Sequence, residues 1–202
     1  MKIALLTNKK KFEIIEKKIS NKLKNDEVLV KISGTGICGS DLHFFRNGAL
    51  GTMKPQFPLS LGHETAGVVI DKNKSKFKNY SNVIIDPLDI SSCKNIQKEI
   101  CGCGLKHNLC NYQTYLGSSP TKGSFRELMI LKKSQLTLLD NKIDPKISSM
   151  IEPAGIAQYC IDRAMINKNQ ENNILILGCG AISMLISSLL FSMGVRNITV
   201  LD

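Results

Sequence analysis

A chain of 202 residues with 43% hydrophobic side chains can hold one large domain or two small ones, and its apolar content excludes wholesale disorder. Lys and Arg number 27 against 17 Asp and Glu, a formal charge of +10. The Lys are dispersed, Trp is absent and aromatics are only 5%, so the excess reads as a solvated surface with no nucleic-acid partner.

The first 35 residues read as strands: Ile3 to Leu6 is a short apolar run, and Val28 to Ile32 alternates in part. The basic start has no long apolar stretch behind it, so it does not read as a secretory signal. Gly34 and Gly36 are expected to end the second strand. Ser40 or Asp41 is the expected cap of a short helix carrying Leu42, His43, Phe44 and Phe45, closed by Asn47-Gly48. Ala66 to Ile70 and Val83 to Asp86 are further strands, joined by a Lys- and Asn-rich turn. Pro87 to Tyr115 is a long loop holding four cysteines, which calls for a staple or a function. Phe125 to Leu131 is again strand-like. Many short strands and turns through residue 140 favour a barrel or sandwich.

The texture then changes. Pro153 is expected at the first position of a helix running from Ala154 to Ile166. Ile174 to Leu177 is a continuous apolar strand of the kind buried on both faces. Gly178-Cys179-Gly180 follows, then a helix from Ala181 to Met193, Gly194, and a strand from Ile198 to Asp202. The helix is interrupted by Ser183, Ser187, Ser188 and Ser192 and is too short to span a bilayer, so no membrane partner is expected. This β-α-β order carries G-x-G-x-x-G at two of its three glycines, with Ser183 in the third place. Gly178 permits the tight turn, and Gly180 lets backbone approach a pyrophosphate. Ala181 and Ile182 open the helix whose amides would meet it. Asp202, at the next strand end, would bind a ribose 2′-hydroxyl, which favours NAD over NADP.

The other chemically dense stretch is Gly36-Ile37-Cys38-Gly39-Ser40-Asp41-Leu42-His43, with Gly62-His63-Glu64 downstream. A catalytic zinc needs about three protein ligands and an open position. Cys38 and His63 are the best two, and Glu64 and Glu152 are candidates for the third. Each alone has a plain structural alternative: a core thiol, a hydrogen-bonded imidazole, a surface carboxylate, an acid favoured by a helix N-terminus. Their co-occurrence in Gly-rich turns upstream of a nucleotide-type unit favours the metal. Seven cysteines without a secretory signal suit a reducing, cytoplasmic compartment.

These motifs, together with Glu152-Pro153 and Gly178-Cys179-Gly180, resemble in order and spacing the zinc-dependent medium-chain alcohol dehydrogenases. Leu42-His43-Phe44-Phe45 and Leu116-Gly117-Ser118 look most like the L-idonate 5-dehydrogenase and polyol (sorbitol-like) branch. The resemblance implies a GroES-like all-β barrel domain over 1–150, followed over 151–202 by the first β-α-β unit of an incomplete Rossmann domain. It also implies Cys38 and His63 as zinc ligands, with Glu152 as third ligand or its water-held substitute and Glu64 as support or alternate. Ser40 would bond the substrate oxygen, and His43 would be the next step of a proton relay. The implied reaction is hydride transfer from the CH–OH group of an alcohol, polyol or aldonate to NAD, in a homo-oligomer if a full-length chain exists. The family's structural zinc uses C-x2-C-x2-C-x7-C. Here Cys93, Cys101, Cys103 and Cys110 give C-x7-C-x-C-x6-C, with His107 a possible substitute, so a second zinc is expected only as a departure from that pattern. Two strands are fewer than a nucleotide domain needs. The chain therefore reads as part of a longer dehydrogenase or as a truncated zinc-binding homologue without activity.

Overall fold

The computed structural model describes residues 1–20, 22–70, 77–78, 80–90, 109–110, 112–140, 142–166 and 173–202. They form two compact units, Met1–Ser149 and Met150–Asp202.

The first unit is built on a five-stranded antiparallel sheet. Its strands are β3 (Glu27–Thr35), β4 (Thr65–Val69), β5 (Asn82–Ile85), β8 (Leu128–Lys132) and β9 (Leu136–Leu138), in the order β8-β3-β4-β5-β9. Alternation sets the inward face. Val28 and Val30 on β3, Val69 on β4 and Val83 on β5 are fully buried against Met129 and Leu131. Each such valine contributes on the order of 1.5–3 kcal/mol of burial before conformational entropy is subtracted. A separate hairpin, β1 (Lys2–Asn8) and β2 (Lys11–Glu16), turns at Lys9-Lys10. Short strands β6 (Leu88–Asp89) and β7 (Thr114–Tyr115) pair at the base of the cysteine-bearing loop.

Several boundaries differ from the sequence expectations. Gly34 does not end β3. It lies inside the strand at an irregularity of the β3–β4 register, and the strand continues to Thr35. The segment after Phe125 enters the sheet only at Leu128, because Arg126 makes an isolated bridge to Ile3 first. Helix α1 (Gly39–Asn47) is capped by neither Ser40 nor Asp41 but begins at Cys38. Asp41 acts from the third helical position, its carboxylate accepting the Cys38 N–H at 3.0 Å. Gly48 closes the helix in the left-handed region at φ 72°, as expected of Asn-Gly.

In the second unit α2 spans Ile151–Arg163, preceded by a 3₁₀ turn at Ile147–Met150. Pro153 is its third residue and not its first. The amides of the whole first turn lack helical acceptors, so the missing N–H costs nothing there either. Strands β10 (Asn173–Leu177) and β11 (Asn197–Leu201) run parallel around α3 (Ala181–Ser192). Ile176 packs with Ile161, Leu190 and Val195. β10 is not buried on both faces: Leu175 and Leu177 are 61% and 73% exposed. Among the described residues no helix is long and apolar enough to cross a membrane.

Candidate active site

The turn after β3 and the turn before β4 bring three chemically distinct donors together. The Cys38 thiol, the His63 imidazole and a Glu64 carboxylate oxygen all lie within 4.8 Å of one another. Local chain geometry enforces this. The Gly36 N–H donates to the Glu64 carbonyl at 2.7 Å. A side chain on Gly36 would overlap the Glu64 carboxylate, so glycine is required for the approach. Gly62 sits at φ +94°, where a Cβ would also strike the Phe125 ring. Buried Asp41 joins the two turns: besides the Cys38 amide it accepts the Gly62 N–H at 3.2 Å.

The electrostatics follow from this packing. The Cys38 thiol is held below its ordinary pKa, foremost by a hydrogen bond from His63. Burial opposes the shift, and bonds from the Ser40 side chain and backbone add to it. His63 is itself buried, with its ring tilted against Tyr115 at 5.3 Å between centroids. One thiol, one imidazole and one carboxylate at this separation are a donor set that fits zinc, the thiol being disposed to give up its proton.

A cavity of about 530 Å³ opens beside the cluster, walled by His63, Ser40, Phe44, Leu50, Met53 and Tyr115. Ser40 is half-buried on this wall. His43 is not part of the wall; it is exposed one turn along α1, its Nδ1 3.4 Å from Asn47 Nδ2. Glu152 belongs to the second unit, in the first turn of α2, where a carboxylate meets the positive end of the helix. Cys93, Cys101, Cys103 and His107 lie outside the described residues. Of the four-cysteine set only Cys110 is described, as a buried thiol. Tyr115 and the Ser119–Thr121 wall carry no sequence motif, and Ser118 is marked only as the end of Leu116-Gly117-Ser118. They reach the site only because β7 closes the cysteine loop against Gly62, Gly117 packing on the Gly62 backbone.

In the second unit Gly178 adopts φ +98° and donates its N–H to the Leu201 carbonyl at 2.6 Å. Gly180 caps α3, and a Cβ built there would meet nothing within 4 Å. Ala181 and Ile182 open the helix. Asp202 Oδ1 accepts the Cys179 N–H at 3.0 Å, which brings the acid to the glycine turn. This is an anion-receptive helix N-terminus with a carboxylate beside it.

The sequence profile of the family described as the alcohol dehydrogenase GroES-like domain matches residues 24–141. The chain belongs to this family. It is 27% identical over 205 residues to sorbitol dehydrogenase of Bacillus subtilis (strain 168), covering all of this chain and 56% of the relative. It is 30% identical over 184 residues to the L-idonate 5-dehydrogenase (NAD(P)(+)) of Escherichia coli (strain K12), covering 88% of this chain and 51% of the relative. The crystal structure of L-idonate 5-dehydrogenase from Escherichia coli K-12 superposes with a TM-score of 0.84 at 28% identity, covering 100% of this chain and 57% of that one. The chain thus spans about half the length of the relatives it matches. The five-stranded sheet is this family's all-β domain, and β10-α3-β11 is the opening β-α-β unit of a Rossmann-type domain.

Proposed function

We propose that the chain carries the metal-binding half of a zinc-dependent oxidoreductase. It would move a hydride from the CH–OH group of a polyol or L-idonate-like sugar acid to NAD. The observation that carries this reading is the convergence of Cys38, His63 and Glu64 on one point beside a cavity. These three would hold the ion. When bound, zinc supplies a Lewis acid that polarises the substrate oxygen.

The remaining roles fall to groups of the chain itself. Ser40, on the cavity wall, takes the hydroxyl proton while its own passes outward toward exposed His43. Phe44, Leu50 and Met53 give the wall an apolar surface that excludes water. Gly178 and Gly180 leave room for a pyrophosphate at the α3 amides of Ala181 and Ile182. Asp202, already placed by the Cys179 N–H, has its second oxygen for a ribose hydroxyl, which favours NAD. The L-idonate relative is named for both NAD and NADP, so the cofactor preference is part of the test.

Metal content and NAD-dependent oxidation of sorbitol and L-idonate are to be measured for the zinc-supplemented chain and for Cys38→Ala. The variant is expected to hold one zinc fewer per chain and to lose turnover with it. Equal zinc in both proteins would overturn the assignment. Zinc without NADH formation in the unsubstituted chain would favour a metal-binding homologue that does not turn over.

A further inference from the structure

Residues 123–125 run beside residues 60–62, the segment that delivers His63 and Glu64. The Gly123 N–H donates to the Ser60 carbonyl at 2.8 Å, the Ser124 N–H to the Gly62 carbonyl at 2.9 Å and the Phe125 N–H to the Leu61 carbonyl at 3.0 Å. Ser124 does more than continue this pairing. Its hydroxyl is hydrogen-bonded to that of Thr65. One residue therefore holds the chain immediately before the His63-Glu64 pair and immediately after it. Thr65 is 0% and Ser124 1% exposed, so water cannot stand in for either hydroxyl's partner.

Thr35 closes the arrangement. The Thr65 hydroxyl donates to Thr35 Oγ1 at 3.4 Å, and the Thr35 hydroxyl donates to the Ser124 carbonyl at 3.4 Å. Each hydroxyl has one proton, so Thr65, having donated to Thr35, accepts from Ser124. The three residues form a closed ring of donors and acceptors. It joins β3 and β4, which pair at Thr35 and Thr65, to the segment at 124. Thr35 directly precedes Gly36, whose N–H holds the Glu64 carbonyl, and shares a turn with Cys38. Cys38, His63 and Glu64 thus all leave from chain that the ring fixes. Packing alone does not ask for hydroxyls here. The rest of β4 is Ala66, Gly67, Val68 and Val69, and a valine at 65 would have nearly the shape of threonine. Hydrogen bonds add direction, which dispersion contacts lack, so the ring sets the angle at which the chain enters and leaves the ligand pair.

We propose that Ser124 is a positioning residue for the metal centre. Through Gly62 and Thr65 it fixes the His63-Glu64 pair, and through Thr35 the root of the turn that carries Cys38. This role rests on the zinc reading of the cluster. It adds the group that holds the donors at their spacing before an ion arrives. Donors held in place lose less freedom on binding and grip the ion more tightly.

Zinc affinity of the 202-residue chain, measured by competition with a chromophoric chelator, and the visible spectrum of its cobalt(II) form test the proposal. Ser124→Ala and Thr65→Val are each expected to weaken zinc by about tenfold and to alter the cobalt spectrum. Thr65→Ser keeps the hydroxyl and should stay close to the unsubstituted chain in both. Val28→Ala, at the far end of β3, should lower the melting temperature and leave affinity and spectrum unchanged. The double variant Ser124→Ala/Thr65→Val leaves neither hydroxyl of the pair without its partner. It should regain part of the melting temperature lost in the single variants and none of the zinc affinity. The proposal is overturned if the single variants bind zinc as the unsubstituted chain does, or if the double variant recovers affinity along with stability. A chain whose zinc content is unchanged by Cys38→Ala overturns the zinc reading, and this role with it. Should either single variant fail to fold, the double variant compared with Val28→Ala decides.

Discussion

The Asp41 carboxylate accepts the backbone N–H of Gly62 from the other side of the site, at 3.2 Å, while its second oxygen takes the Cys38 N–H at 3.0 Å. One buried side chain thus fixes the spacing of the two turns that carry Cys38 and His63. Asp41→Ala would leave two amides without their acceptor, at about 1–3 kcal/mol each where burial is complete. We expect a net loss of about 2–4 kcal/mol in urea unfolding and a weakened zinc affinity. Asp41→Asn keeps one acceptor and should fall between. A variant that lost stability but kept its full zinc affinity would show that Asp41 supports the fold without setting the site.

Gly36 and Gly62 predict different phenotypes. At Gly36 an added methyl overlaps the Glu64 carboxylate, which can swing aside, and presses on the Glu64 Cβ at 3.0 Å, which must give slightly. Gly36→Ala should therefore cost less stability than Gly62→Ala and weaken zinc binding, as the Glu64 carboxylate leaves the cluster. At Gly62 the methyl meets the Phe125 ring and Ser124, on a backbone at φ +94°. Strain and overpacking together put Gly62→Ala at about 2–4 kcal/mol. Parallel melting curves and metal titrations on both variants separate the two effects.

The half-buried pair Lys132–Asp89, at 2.6 Å, ties β6 to β8 at the root of the cysteine loop. Its side chains are 34% and 16% exposed, between the surface and buried regimes. A coupling of about 1–2 kcal/mol is expected, above the usual surface value and below that of a fully buried pair. A double-mutant cycle on Asp89→Asn and Lys132→Met measures it, and a coupling near zero would place the pair with ordinary surface ions.

Strand parity predicts an asymmetry in the second unit. Ile176 faces Ile161, Leu190 and Val195, while Leu175 and Leu177 face solvent beside Thr199 and Leu201. In the 202-residue chain Ile176→Ala should cost about 2–4 kcal/mol. Leu175→Gln and Leu177→Gln should each stay within about 0.5 kcal/mol. Comparable losses at all three positions in denaturant unfolding would refute the parity argument.

What was legible in the sequence follows a physical division. Cys38, His63 and Glu64 could be read because their chemistry is rare and glycines bracket it, and they do converge. The capping of α1 was misread. Cys is an unremarkable cap by propensity, and the polar group that serves the helix start reaches back from inside it, at Asp41. The apolar run of β10 could not reveal how many of its faces are covered, because hydrophobicity is common to both faces and coverage depends on neighbours. β9 is three residues long, too short for periodicity to register. Tyr115 enters the site through the closure of a long loop, a non-local event that leaves no local pattern.

Gly180 provides the test that best separates ligand binding from architecture. Its φ of −83° is open to any residue, and a Cβ there meets nothing within 4 Å. It is the N-cap of α3, a position where Ser is preferred over Gly because its hydroxyl serves the first amides. Neither backbone geometry nor helix stability therefore accounts for glycine. The proposed close approach of a pyrophosphate to the main chain would. Gly180→Ser should leave stability unchanged or raise it by a few tenths of a kcal/mol. If the unit binds NAD, the same substitution should weaken it by about tenfold or more, because the new side chain occupies the space the phosphates need. Equilibrium dialysis against NAD and thermal melting of the same two proteins measure both effects. Unchanged NAD affinity with raised stability would mean that the glycine turn holds no nucleotide.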